Sequence, residues 1–406
     1  MKFFRGVIGL LLAAFVQHAA WASGISNGEV RVVVMTDMTG IYHDWGGQGQ
    51  VIAAQMAIQD QRGEVLGKPI KLIVADSKLD AKYAVSKEAQ LYKQQHVDAI
   101  VGFTGSNVAL PVQAYARDHD IVTLVTGANS TGLTGRDCSP TGVHWTSDTY
   151  ALAKGAAQAM IAGGKKKWYF ITADYAFGRI LEEETAQAVD GDGGTVLGNA
   201  YAKYKGTDFS HQLALAQASH ASVVALADAG KDTQNTIRQA YELGMQSSGQ
   251  DVIGLLMFIT DIRSLGMYVT SGLKFVTAFY WNYNDQTRRW SRRFYKRVGA
   301  MPTMAQAGTY SALTHYFEAI KAAGTDEGRA VVKEMKKLPV HDFFAPNGYV
   351  REDGRMVHNM YLVEVKRPDQ ETEAWDYLKV MRVIPAAKAW RPLDKGGCPF
   401  VMSAKR

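Results

Sequence analysis

The sequence predicts an α/β protein of two doubly wound lobes, and three observations carry that reading. Short, continuously apolar strands alternate with segments of helical periodicity, the pattern of parallel sheets covered on both faces. The alternation runs through two similar series, one before and one after His144-Trp145. The chain of 406 residues is also too long for one core, whose growth stops near roughly 250–300 residues.

The first 22 residues are set aside before the elements are taken in order. Lys2 and Arg5 flank the start of an apolar run from Gly6 to Val16, and Ala20-Trp21-Ala22 is a small-x-small cleavage pattern. A secretory leader ending at Ala22 is therefore expected. The competing reading, a membrane anchor, needs roughly 20 apolar residues, more than the run supplies. No cysteine follows the run, which argues against a lipid-anchored form. Losing Lys2 and Arg5 lowers the formal charge from +6 to +4. That balance, with no basic run interleaved with aromatics, argues against a nucleic-acid partner. No later segment is apolar and long enough to be membrane-embedded.

Residues 30–36 are a β-branched strand, 47–61 a helix, and 69–75 the next strand. Asp80 is the expected N-cap of a helix reaching about Gln95. Short buried strands follow at 99–102 and 121–126, with a helix over 108–118 between them. The second series has a helix over 150–162 and strands at 167–172, 195–200, 223–227, 252–256 and 274–281, with helices between. Helices are expected at 285–298, 303–323 and 326–337. The tail changes character: Asp353-Gly354 between two extended arms, over 349–358, is a hairpin signal.

Open α/β sheets hold ligands beyond the carboxyl ends of their strands. Here those loops are 36–47, 102–107, 126–131, 173–178, 228–232, 257–261 and 280–283. They carry two chemistries. Gly105-Ser106-Asn107 and Gly127-Ala128-Asn129-Ser130-Thr131 offer hydroxyls, amides and backbone N–H groups at helix starts, which suit a carboxylate. Tyr42, Trp45, Tyr175, Phe177, Phe258, Tyr280 and Trp281 offer flat apolar walls. Taken singly, each is accounted for by capping, turn or core roles. Their gathering at successive strand ends is what points to a small-molecule cleft.

Enzyme motifs are missing. Ser106 lies in Thr104-Gly-Ser-Asn-Val108, without the second glycine of a nucleophile elbow. No H-E-x-x-H occurs, and Gly46-Gly-Gln-Gly49 does not complete a dinucleotide fingerprint. Asp190-Gly-Asp-Gly-Gly194 reads as a turn, since a calcium loop needs further oxygen ligands and a terminal Glu. No catalytic residue, metal site or cofactor is expected.

Four motifs stand in a recognisable order: Met35-Thr-Asp-Met-Thr-Gly-Ile-Tyr-His-Asp-Trp-Gly46, Val101-Gly-Phe-Thr-Gly-Ser106, Thr123-Leu-Val-Thr-Gly-Ala-Asn-Ser-Thr131 and Ala173-Asp-Tyr-Ala-Phe-Gly178. With them the chain resembles the type I periplasmic solute-binding proteins of branched-chain amino acid ABC importers, over nearly its whole mature length. His144-Trp-Thr-Ser-Asp-Thr-Tyr150 and Gly397-Cys-Pro399 are similar to a subgroup several of whose members take up aromatic carboxylates. The resemblance implies two Rossmann-like lobes joined by a three-strand hinge, crossed near 144–146, 278–281 and 342–347. The first lobe would hold 26–145 and 281–342, the second 146–280 and 343–406.

It also implies roles. Ser106 matches the serine that holds the ligand carboxylate, with Asn107 beside it; Ala128 and Ser130 match the second carboxylate- and amine-binding segment, with Asn129, a further candidate, between them. Trp45 matches a wall aromatic, Phe177 the aromatic of the opposing lobe, with Tyr175 and Tyr280 alongside. Phe258 departs from the pattern, falling where amino-acid-binding members carry a glutamate for the ligand ammonium. Asp228 or Asp261 would have to replace it. The departure favours an aromatic or phenylalkanoic carboxylate over a branched-chain or other amino acid. The expected protein is a monomeric periplasmic component that presents its ligand to ABC importer permease subunits. A sensory module serving a chemoreceptor or kinase would look the same. Cys138 and Cys398, an even count in an oxidising compartment, are expected to form a disulfide pinning the tail near the hinge, with two free buried thiols as the alternative.

Overall fold

The computed structural model describes residues 24–403; the expected leader lies outside the described residues. Strand β1 (Val30–Thr36) shows why the first sheet is covered twice. Val32 and Val34 point to one face and Val33 and Met35 to the other, and all four are fully buried. Helix α1 (Gly47–Asp60) follows, then the short antiparallel pair β2 (Glu64–Val65) and β3 (Lys68–Asp76). Asp80 caps α2 (Ala81–Gln95), its Oδ1 accepting the Tyr83 N–H at 2.8 Å. Strand β4 (Ala99–Gly102), helix α3 (Ser106–Arg117), strand β5 (Val122–Val125) and strand β6 (Gly142–His144) complete a six-stranded sheet in the order β2-β3-β1-β4-β5-β6. Val33, Met35 and Ile100 pack with Leu91 of α2 and Val112 of α3 on one face.

The second series opens with α4 (Thr149–Ala162), capped by Asp148, whose Oδ1 accepts the Ala151 N–H at 2.8 Å. Next come β7 (Lys167–Ala173), α5 (Ala176–Gly191), β8 (Thr195–Ala202), α6 (Ser210–Ala218), β9 (Val223–Ala227), α7 (Lys231–Glu242) and β10 (Asp251–Gly254). These strands form a parallel sheet in the order β10-β9-β7-β8. Helices α8 (Ile259–Leu265) and α9 (Met267–Thr270) lead to β11 (Lys274–Thr277). That strand ends four residues earlier than the reading of 274–281 expects. The run Phe279-Tyr280-Trp281 has strand propensity, but its buried rings serve the passage back to the first lobe.

Helices α10 (Asp285–Val298), α11 (Met304–Ala323) and α12 (Gly328–Lys337) return to the first lobe, where α10 and α11 pack on α1. The small sheet of β12 (Pro339–Val340), β13 (Gly348–Val350) and β14 (Met356–Val357) contains the expected hairpin, with Gly354 at φ 85° in its turn. A bridge between His144 and Arg355 ties this sheet to the edge of the first one. Strand pairing therefore puts the third passage at residues 358–360, later than the 342–347 expected. There β15 (Met360–Val365) pairs with β11 and with β16 (Leu378–Ile384) in an antiparallel sheet of the second lobe. The tail adds α13 (Ala386–Ala389) and α14 (Pro399–Ser403). Cys138 and Cys398 are bonded, with Sγ atoms 2.01 Å apart.

Candidate functional site

The strand ends of both lobes face each other across a narrow cleft. Two loops of the first lobe build one wall. Asp37 folds the loop after β1: its carboxylate accepts the N–H groups of Gly40 at 2.8 Å and Tyr42 at 2.9 Å. Its own N–H donates to the Thr104 hydroxyl at 2.9 Å, which joins this loop to the start of α3. Gly102 turns the chain there at φ 115°, with a side chain excluded because a Cβ would sit 2.7 Å from the Met35 carbonyl oxygen. Trp45 is fixed from behind: its carbonyl accepts the Thr303 hydroxyl at 2.7 Å, and its ring stacks on Phe258 at 4.4 Å between centroids.

Ser106 is the first residue of α3, so its N–H has no partner inside the helix. Its Oγ accepts the N–H groups of Asn129 at 3.3 Å and Ser130 at 3.2 Å. The hydroxyl hydrogen is thereby left to donate elsewhere. The loop carrying Ala128 is held by His144, whose Nε2 lies 2.8 Å from the Ala128 carbonyl oxygen. Burial, helped by the Arg355 charge, keeps His144 well below its ordinary pKa, so its ring is neutral and donates. The Asn129 side chain is committed to the protein: its amide donates to Gly127 at 2.9 Å and its oxygen accepts the Ser147 hydroxyl at 2.5 Å.

The other wall comes from the second lobe. Tyr175 and Phe177, at the start of α5, line the cavity with Ala229 and Leu256. Four contacts join the lobes around it. The Tyr42 and Tyr175 hydroxyls are 2.6 Å apart, Lys231 pairs with Asp44 at 3.0 Å, Trp45 stacks on Phe258, and the Thr131 hydroxyl donates to Glu184 at 2.6 Å. Burial raises both tyrosines well above the usual phenol value, so both hydroxyls stay protonated. It also pushes the Glu184 carboxyl up to about 7.

Of the residues singled out in the sequence, the structure brings Trp45, Ser106, Ala128, Asn129, Tyr175 and Phe177 together around one cavity. Five others lie around it without lining it. Asn107 donates to the Leu79 carbonyl at 2.9 Å, and Ser130 accepts from Gly132 at 3.2 Å. Phe258 backs Trp45. Tyr280 donates to Asp376 at 2.8 Å, inside the second lobe. Asp228 accepts from Thr233 at 2.5 Å and Thr236 at 3.4 Å, and burial raises its carboxyl to about 8. Asp261, the alternative partner for a ligand ammonium, accepts from Gln234 and from the Phe258 N–H. Neither carboxyl reaches the cavity wall. Tyr42, read from the sequence as a flat wall, and Gly105 of the Gly105-Ser106-Asn107 segment also line the cavity, together with Thr104, Ala229 and Leu256, which the sequence reading does not single out. All but Leu256 fall in the strand-end loops, and Leu256 precedes one of them by a single residue. No lining residue is charged.

Among the described residues no group of three or more His, Cys, Asp or Glu is placed to hold a metal ion, and no helix is long and apolar enough to cross a membrane. The profile of the family described as periplasmic binding protein matches residues 29–372. The chain belongs to that family. It is similar to a periplasmic binding protein from Burkholderia mallei, at 40% identity and a TM-score of 0.89 over 92% of this chain and 99% of that one. A branched-chain amino acid ABC transporter periplasmic ligand-binding protein from Burkholderia xenovorans LB400 is 33% identical, with a TM-score of 0.84 over 91% and 99% of the two chains. An ABC transporter solute-binding protein from R. palustris, solved with benzoate, has a TM-score of 0.80 over 92% and 100%, but at 19% identity the likeness is one of fold. Comparison with curated proteins gave no match. Members of this family bind solutes and are not enzymes.

Proposed function

We propose that the protein is the periplasmic solute-binding component of an ABC importer and that its cleft closes on an aromatic carboxylate. The observation that carries this reading is the composition of the cavity wall. Ser106 offers a hydroxyl hydrogen and an unpaired helix N-terminal N–H, both suited to a carboxylate. Tyr42, Trp45, Tyr175 and Phe177 offer faces on which a flat ring packs. No carboxylate stands ready for an ammonium group, and desolvating an unpaired ammonium is costly. A ligand touching both walls favours the closed form by its differential contacts, and the importer permease would read that shape. Proteins of the same fold from R. palustris were solved with benzoate and with 4-hydroxybenzoate, a precedent for such ligands in this architecture.

The name of the Burkholderia xenovorans relative favours a second reading, a branched-chain amino acid ligand. A thermal-shift screen of the mature protein separates the two, because a ligand that binds only the folded state raises its melting temperature. Benzoate, hydroxybenzoates and phenylalkanoates are expected to give the larger shifts. Shifts with leucine, isoleucine or valine and none with aromatic acids would replace the aromatic reading with the amino-acid one.

A further inference from the structure

Three peptide passages join the two lobes, at 145–148, 278–284 and 358–360. The C-terminal tail takes a fourth path between them. It leaves β16 in the second lobe, and its helix α13 packs on α4 of the same lobe. It then runs outward across the hinge to the first lobe, where Cys398 is bonded to Cys138. The segment that receives it is firmly part of the first lobe, since Gln113 of α3 donates to the carbonyls of Leu133 at 3.1 Å and Asp137 at 2.8 Å.

Between its two ends the tail grips the hinge itself. Trp390 donates through Nε1 to the His358 carbonyl at 2.9 Å, and its ring lies 4.2 Å from the Arg355 guanidinium. Arg355 and His358 both bond the Thr146 carbonyl oxygen, His358 at 3.0 Å, so the third passage is tied to the first under the Trp390 ring. Arg391 donates to the Thr131 carbonyl at 3.0 Å, and its own carbonyl accepts from Arg351 at 2.8 Å. Arg391, Pro392 and Lys395 line one groove with Tyr150, Lys154 and Glu184 of α4 and α5.

We propose that residues 385–398 are a disulfide-anchored strap, a fourth connection between the lobes that limits how far the hinge opens. A tether fixed covalently at the first lobe and by strand pairing and helix packing at the second restricts the open ensemble, whereas the closed arrangement already satisfies it. Removing the anchor widens the open state and leaves each lobe intact. The inference does not depend on which ligand the cleft takes.

The test compares the mature protein with its Cys138→Ser/Cys398→Ser variant, without added ligand, by small-angle scattering and hydrogen exchange. The variant is expected to show a larger radius of gyration. Amide exchange at 145–148 and 358–360 should be at least about threefold faster, with exchange in β1, β4, β7 and β9 unchanged. A Trp390→Ala variant keeps the disulfide but removes the grip on Arg355 and His358. It should speed exchange at the same two passages, and it covers the case in which the double variant does not fold. A lower melting temperature with an unchanged radius and unchanged hinge exchange would overturn the strap and leave an ordinary stabilising disulfide.

Discussion

Ser106 illustrates how one side chain couples the loop to the site. Because its oxygen already accepts two backbone N–H groups, its hydrogen is directed by elimination toward an external acceptor. Ser106→Ala is expected to weaken benzoate binding by about 1.5–3 kcal/mol, the range for a hydrogen bond to a charged group. Isothermal titration checks this, and an unchanged affinity would remove Ser106 from the carboxylate site. Glu88 makes a different point. It is fully buried, neither carboxyl oxygen has a hydrogen-bond partner in the described residues, and burial pushes its carboxyl up to about 7. A folded-state pKa above the unfolded one gives stability that is complete below the unfolded value and is lost as pH rises through about 7. Glu88→Gln should therefore flatten the fall in melting temperature between about pH 4.5 and 7. A variant whose melting profile has the wild-type slope would show that Glu88 does not titrate in this range.

Among the elements, helix starts were the most legible, because an N-cap is a contact between neighbours in sequence. Asp80→Ala removes the acceptor of the Tyr83 N–H and should cost about 1 kcal/mol of stability in urea denaturation, with ligand affinity unchanged. A loss of affinity would mean that α2 positions the site more directly than its distance in the fold suggests. The hairpin at Asp353-Gly354 was legible for the same local reason. The strand expected over 274–281 was not. Its second half is as aromatic as a strand interior, yet Trp281 donates to the Trp375 carbonyl and Tyr280 to Asp376, partners more than ninety residues away. The Asp376 carboxylate is held down at about 2 although burial opposes it, because Lys366, Thr372, Asn282 and Tyr280 all bond it. That polar cluster draws Tyr280 away from the cleft.

At the scale of the molecule, closure depends on how near the lobes can come. Gly230, at the tip of the second lobe, has φ 62°, and a Cβ there would stand 2.7 Å from the Ile41 carbonyl oxygen and 2.8 Å from the Tyr42 ring. It lines no part of the cavity. Gly230→Ala should keep the lobes apart and weaken ligand binding at least about tenfold, because a side chain costs the closed form its tightest approach. Small-angle scattering is the check: a ligand that binds should reduce the radius of gyration of the wild type, and that reduction should be smaller in the variant. Equal compaction in both would show that the glycine does not gate closure.

By itself the sequence determined the repertoire of elements, the two series of alternating strands and helices, the loops in which a ligand would be sought and the cysteines available for pairing. These are local or periodic properties, written in burial patterns, caps and turn residues. Only the tertiary structure decided which strand-end residues face the cavity. Asp228, Asp261 and Tyr280 stand in the right loops, but buried partners claim them, and a buried polar group goes where its hydrogen bonds are met. The two cysteines predict a tail pinned near the hinge. Its path across the hinge follows from contacts among Trp390, His358, Arg355 and Thr146, residues that no local pattern relates.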